Sequence, residues 1–252
     1  MLLICSGGLH SEEFSAGCST HTAPFCFSTD GKVGGVIVDI VNEITRRMDS
    51  SVSMQATPMK RLQRELKEGV VDISGPMIYN EDRASYLYFL RSPIFTIRQG
   101  VYGIKGNNYD YYSIGDLSGR TLGKRRGFYL SENLEMLVEE GKVKVLESNS
   151  FNQLFNQLFR GRVDYIALPR GIVALRRSSL SDEVIFLGYL GGETKLSIGI
   201  SKYGQLKSNV DEVERIFQEM QSDGSLEEII YRYFRSGTLG WSDTTGYFSI
   251  VE

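Results

Sequence analysis

Two stretches of the chain carry one pattern at a constant offset of 92 residues: LQRELKEGVVDIS at 62–74 and LFNQLFRGRVDYI at 154–166. Each reads as a short amphipathic helix that stops at a glycine, Gly69 or Gly161, before Val-Asp opens an extended run. Glycine ends a helix well because it enters the left-handed region without a Cβ penalty. One helix–strand unit cannot bury its apolar face alone. Two copies far apart therefore predict two similar α/β lobes.

The rest of the chain fits around these units. Ile37, Ile40, Val41, Ile44 and Met48 recur at one-faced helical spacing, as do Met59, Leu62 and Leu66. Further helices are predicted at 131–140, at 209–221, and along the Phe151, Leu154, Phe155, Leu158, Phe159 stripe, which reads as core. Ser225-x-x-Glu228 predicts a capping box opening a helix with Leu226, Ile229, Ile230, Tyr233 and Phe234 on one face. Strands are predicted at Leu2–Cys5, as the first core strand, at 70–74, and near 121–124, 143–147, 163–168, 184–187 and 196–200. Gly75-Pro76 reads as a loop.

At 252 residues the chain is long enough to bury a sizeable core. Its formal net charge of −3 implies no electrostatic pull toward nucleic acid or an anionic membrane. No apolar run approaches the roughly 20 residues that span a bilayer. Met1–Ile4 is too short for the apolar core of a signal peptide. Leu2-Leu3-Ile4-Cys5 has the outline of a lipoprotein box, but Ile4 is too large for the position before the cysteine. There is no P-loop, no H-E-x-x-H and no G-x-S-x-G, and neither histidine lies in a cleft segment. An enzyme is not expected, and no cofactor or metal is called for.

The order helix, Gly-x-Val-Asp strand, small-residue loop, Asn80-Glu81-Asp82-Arg83, aromatic run and Ser92-Pro93-Ile94-Phe95-Thr96 resembles the bacterial extracellular solute-binding proteins of family 3. Pro24-Phe25 with Asp30-Gly31-Lys32, Asp116-Leu117-Ser118-Gly119-Arg120, Gly161-Arg162-Val163-Asp164 and Asp223-Gly224-Ser225 follow in the family's order, over roughly residues 20–235. The resemblance implies an α/β, two-lobed, Venus-flytrap fold of the periplasmic-binding-protein type. Lobe one would hold residues 1–99 and 196–252, and lobe two 100–195, with hinge crossings near Arg98-Gln99-Gly100 and Leu190-Gly191-Gly192. It implies a periplasmic monomer, lacking its leader here, that binds a small-molecule solute for a membrane ABC permease. The solute would be amino-acid-like, or anionic or aromatic. The alternatives are a ligand-sensing module of a signalling receptor and, less favoured, a cleft enzyme of dehydratase or lyase type.

The resemblance also implies site residues. Arg83 matches an arginine that pairs with the ligand carboxylate in two prongs; it could instead buttress the loop. Phe25 matches an aromatic beside the ligand, with core packing as the other reading, and Met77 lies in the same cleft segment as Arg83. The family's hydroxyl positions are Gly75, Pro76 and Ile78 here, its Gly-[ST]-Thr is Gly127-Phe128-Tyr129, and its ammonium-binding acid falls at Pro169. Phe128 and Tyr129, with Arg126 and Arg170, are therefore the expected lobe-two contacts. Lys124 and Arg125 are expected to point outward into solvent.

Every cysteine and histidine precedes residue 27: Cys5, His10, Cys18, His21 and Cys26. Their spacing fits no zinc pattern well. A Cys18–Cys26 disulfide follows from the oxidising compartment that the resemblance implies, and free thiols are the remaining reading.

Overall fold

A computed structural model of the protein describes residues 12–20, 22–107, 110–170, 173 and 183–235. The expected strand at Leu2–Cys5, Cys5 itself, His10, His21 and the 236–252 tail with Trp241 lie outside the described residues. The strands are β1 (Glu13–Ser19), β2 (Phe27–Thr29), β3 (Lys32–Gly34), β4 (Ser51–Thr57), β5 (Ile73–Ile78), β6 (Leu87–Phe89), β7 (Phe95–Ile104), β8 (Thr121–Arg125), β9 (Lys144–Ser148), β10 (Tyr165–Pro169) and β11 (Val184–Ser201). The helices are α1 (Val36–Arg47), α2 (Met59–Lys67), α3 (Glu81–Tyr86), α4 (Glu132–Glu139), α5 (Phe151–Phe159), α6 (Val210–Ser222) and α7 (Ser225–Arg235).

Nine strands form one sheet in the order β4-β1-β5-β11-β7-β10-β8-β9, with β6 beside β11. At one end β1 pairs in parallel with β4 and β5. At the other, β8 pairs in parallel with β9 and β10. The long antiparallel pair β7–β11 joins these two halves. Its register shifts between Tyr189, opposite Gly100, and Glu193, opposite Arg98. Leu190, Gly191 and Gly192 are looped out there, with Gly191 at φ +114. This is the two-lobed α/β arrangement.

The sequence repeat is a structural repeat. α2 leads to β5 in one half and α5 to β10 in the other, and Gly69 and Gly161 stand at φ +72 and +61 after their helices. Asp72 and Asp164 do the same work in each. The Asp72 carboxylate accepts from the Ser15 N–H at 2.8 Å, and that of Asp164 from the Thr121 N–H at 2.7 Å. Each aspartate thus fastens the strand beside it.

Several expectations change. Gly75 and Pro76 lie inside β5, not in a loop. They stand opposite the single residue Ile198 of β11, because the register jumps between Met77–Ser197 and Ser74–Gly199. Proline, lacking a donor, is tolerated at such a bulge. Val70 is exposed and precedes β5. The two strands expected at 184–187 and 196–200 are one continuous strand, β11. Ser225 is the first residue of α7 and not its cap; its N–H donates to the Asp223 carboxylate at 2.9 Å. Phe159 is exposed, because eight residues of an α-helix overshoot two full turns and carry the stripe's end off the core face.

The core follows the predicted stripes. Ile37, Ile40, Val41 and Ile44 of α1 are fully buried, and Met48 packs at the margin of the same cluster. Leu226, Ile229, Ile230 and Phe234 of α7 close over that cluster. Burying each such side chain contributes about 1.5–3 kcal/mol. Cys18 and Cys26 form a disulfide, tying the end of β1 to the following loop. That excludes both as metal ligands, and among the described residues no group of His, Cys, Asp and Glu could hold a metal ion. No helix among them is long and apolar enough to cross a membrane.

Candidate functional site

The site is built around Arg83. The Asn80 side chain caps α3 by accepting from the Arg83 N–H at 2.8 Å, and this fixes the first turn. The Arg83 guanidinium is then turned inward and is only 3% exposed. One nitrogen donates to the Ile78 carbonyl at 2.8 Å; another donates across the molecule to the Gly127 carbonyl at 3.2 Å. Gln63 of α2 donates to that same carbonyl at 3.0 Å. Burial pushes the Arg83 pKa down from its ordinary value, partly countered by Tyr86, Asp82, Tyr129 and Glu135. The group remains cationic.

Gly127 is one point where the far half touches the near one. It stands at φ +75, and a Cβ there would lie 3.1 Å from Met59 Cγ and 3.2 Å from the Lys60 backbone nitrogen. Only glycine lets this loop settle on the start of α2.

Two cavities meet at Arg83. The inner one, of about 60 Å³, lies between the halves. Its walls are largely aromatic and aliphatic: Phe25, Phe128, Tyr129 and Phe151, with Met59, Ile97 and Leu196. Its polar groups are Ser19, Thr22, Gln99 and Arg83. The Thr22 hydroxyl donates to the Ser19 carbonyl at 2.6 Å. Ser19 Oγ and Gln99 Oε1 are buried with no hydrogen-bond partner. The outer groove, of about 660 Å³, is lined by Glu81, Asp82, Glu132, Glu135, Glu139 and Glu147, with Lys60 and Lys124. Lys124 pairs with Glu135 at 2.8 Å, and Arg126 with Glu147 at 3.3 Å.

The structure sorts the expected contacts. Phe128 and Tyr129 line both cavities. Burial, then Glu132 and Glu135, raise the Tyr129 pKa above its ordinary value, so its hydroxyl stays protonated. Phe25 stands at the margin between cavity and core. It lines the inner cavity and packs edge-on against Phe95 and Phe234, with ring centroids 5.3 and 6.2 Å away. Three expected residues lie elsewhere. Met77 is buried against α2 among Met59, Leu62 and Leu66, and lines neither cavity. The Arg126 side chain is 54% exposed and turned to Glu147. Arg170 is held by the Tyr189 hydroxyl and lies 4.8 Å from the Phe186 ring centroid.

Lys124 and Arg125 are buried, not solvated. β8 lies between β9 and β10 with both faces covered, so alternation along it does not separate core from solvent. Arg125 donates to the Thr20 carbonyl at 3.3 Å and lies about 5 Å from the ring centroids of Phe128 and Phe151. Sequence reasoning missed Arg125, Gln63, Ser19, Thr22 and Gln99. For Gln99 a signal existed: it is a polar residue within the largely apolar run Phe95–Ile104.

A polar–apolar cavity between two α/β halves, spanned by a buried arginine, is the geometry of a binding cleft. A family profile for bacterial extracellular solute-binding proteins, family 3, matches residues 14–236. The chain belongs to this family. The proteins of this family are solute-binding proteins. Among relatives, the chain is 21% identical over 240 residues to the probable amino-acid-binding protein YxeM of Bacillus subtilis, covering 93% of this chain and 90% of that protein. It is 23% identical to the L-cystine-binding protein TcyA of Bacillus subtilis, covering 81% and 73%. An ancestral arginine-binding protein bound to arginine superposes with a TM-score of 0.75 at 22% identity, covering 88% of this chain and 98% of that one. In this family-3 member the buried Arg83 shares both cavities with the aromatic rings of Phe128 and Tyr129.

Proposed function

We propose that this family-3 protein is the extracytoplasmic receptor of an ABC importer, closing on a small carboxylate-bearing solute and presenting it to a membrane permease. Residues 1–99 with 196–252 would form one lobe and 100–195 the other, and the protein would act as a periplasmic monomer. The observation that carries this reading is the Arg83 guanidinium, which lies in the wall of both cavities and bonds a carbonyl of each half. A ligand can shift an opening equilibrium only through contacts that differ between the two states. A carboxylate on Arg83 beneath Phe128 and Tyr129 makes such contacts. The amino-acid-binding relatives support the size class of the solute.

The test is a thermal-shift screen of refolded, ligand-stripped protein against amino acids, organic acids, amines, nucleosides and short peptides. At a hundredfold excess over Kd a ligand stabilises the folded form by about 2.7 kcal/mol. For a chain of this size that is a rise of about 5–10 °C in Tm. A hit is expected among carboxylates and should be lost in Tyr129→Ala and Arg83→Lys. Silence across the library, from protein with native circular dichroism, would overturn the receptor reading.

A further inference from the structure

We infer that the inner cavity selects a monocarboxylate bearing a neutral donor, such as a 2-hydroxy acid, over the zwitterionic α-amino acid of the same shape. The inference rests on the receptor reading and specifies its ligand. The charge inventory carries it. Among the described residues lining the cavity there is one cation, Arg83, and no carboxylate. A carboxylate entering it finds a buried guanidinium. An ammonium entering it would lose its water and meet no counter-charge, beside a cation already there.

The unmet polar atoms point the same way. Gln99 is 3% exposed and its Oε1 has no partner; Ser19 is 4% exposed and its Oγ has none. Both line the cavity. Oε1 can only accept, so it calls for a donor on the ligand, and a hydroxyl or amide supplies one without charge. Position also matters. Gln99 pairs with Pro169 across β7 and β10, and paired residues project from the same face of a sheet. Pro169 offers no polar side chain, so the acceptor at this point of the wall is the neutral amide of Gln99.

The outer groove narrows the class further. Six carboxylates line it against three cations, Lys60, Lys124 and Arg83. Repulsion there grows with ligand charge, so di- and tricarboxylates are disfavoured. The repulsion is smallest for a single negative charge, and screening over about 8 Å at physiological salt reduces it further. The cavity as closed, at about 60 Å³, has room for roughly two waters. The ligand is therefore small, or holds the halves slightly further apart.

The test uses matched pairs differing only at the 2-position: glycolate and glycine, L-lactate and L-alanine, L-phenyllactate and L-phenylalanine. Titration calorimetry on ligand-stripped protein should show the hydroxy acid of the best-binding pair at least tenfold tighter. Gln99→Glu, verified as folded by its thermal melt, adds a carboxylate to the wall. It should weaken that hydroxy acid at least tenfold and strengthen its amino partner. An amino acid that binds as tightly as its hydroxy partner would overturn the inference and leave the receptor reading standing. So would a Gln99→Glu variant with both affinities unchanged, or a screen in which some other solute binds but no hydroxy acid does. If the broad solute library is silent as well, both readings fall.

Discussion

Asp72 gives the repeated signature its structural role. It sits in the repeated Gly-x-Val-Asp signature and is buried at 2% exposure. One carboxylate oxygen accepts from the Ser15 N–H and hydroxyl; the other accepts from the N–H groups of Gln205 and Leu206. It therefore joins β1, the start of β5 and the chain after β11. Asp72→Ala strands three backbone donors, and each buried unsatisfied group costs about 1–3 kcal/mol. We expect a loss of about 3–5 kcal/mol in urea unfolding. Asp164 fastens one such donor, the Thr121 N–H, so Asp164→Ala should cost less. The signature was legible in the sequence. Its role was not, because the bonded partners come from segments up to 134 residues away.

At the scale of elements, the helices were the most legible part. A buried stripe repeats at a fixed period whatever it packs against. What α1 does at its far end needed the structure. Arg47 donates to Asp223 at 2.7 Å and to the Ser225 hydroxyl at 2.8 Å, anchoring α1 to the corner between α6 and α7. Glu43 holds both Arg46 and Arg47 at 2.7–2.8 Å. The hydrogen bond from Arg46, opposed by burial and reinforced by Arg47, lowers the Glu43 pKa from 4.5 to about 2. A carboxyl depressed on folding adds stability that is fully present above its unfolded pKa and lost as pH falls through the folded value. Glu43→Gln should therefore be less stable than the parent at pH 7. That difference should hold down to about pH 5 and fade between pH 4.5 and 2, as read from urea midpoints. A difference that persisted unchanged at pH 2 would show that charge on Glu43 is not the cause.

For the whole molecule, the question is what holds the halves together. Gln63 and Arg83 both donate to the Gly127 carbonyl, and Gly127 rests on α2. Gln63→Ala removes one of these donors without touching the inner cavity. A net hydrogen bond is worth about 0.5–1.5 kcal/mol, so ligand affinity should fall about two- to tenfold as the open state gains population. Small-angle scattering should show a larger radius of gyration for the ligand-free variant than for the ligand-free parent. An unchanged radius and affinity would mean that this contact does not govern closure. The sequence by itself determined the two repeated α/β units, the helical stripes and the family order, because each is written in spacing along a single element. Only the tertiary structure decided that Arg125 turns in while Arg126 turns out, and that Ser19, Arg83, Gln99 and Phe128 share one cavity. The physical reason is that a cleft is lined by side chains from separate strands and helices. Which of them face one another is set by the order and register of the sheet, which no local period records.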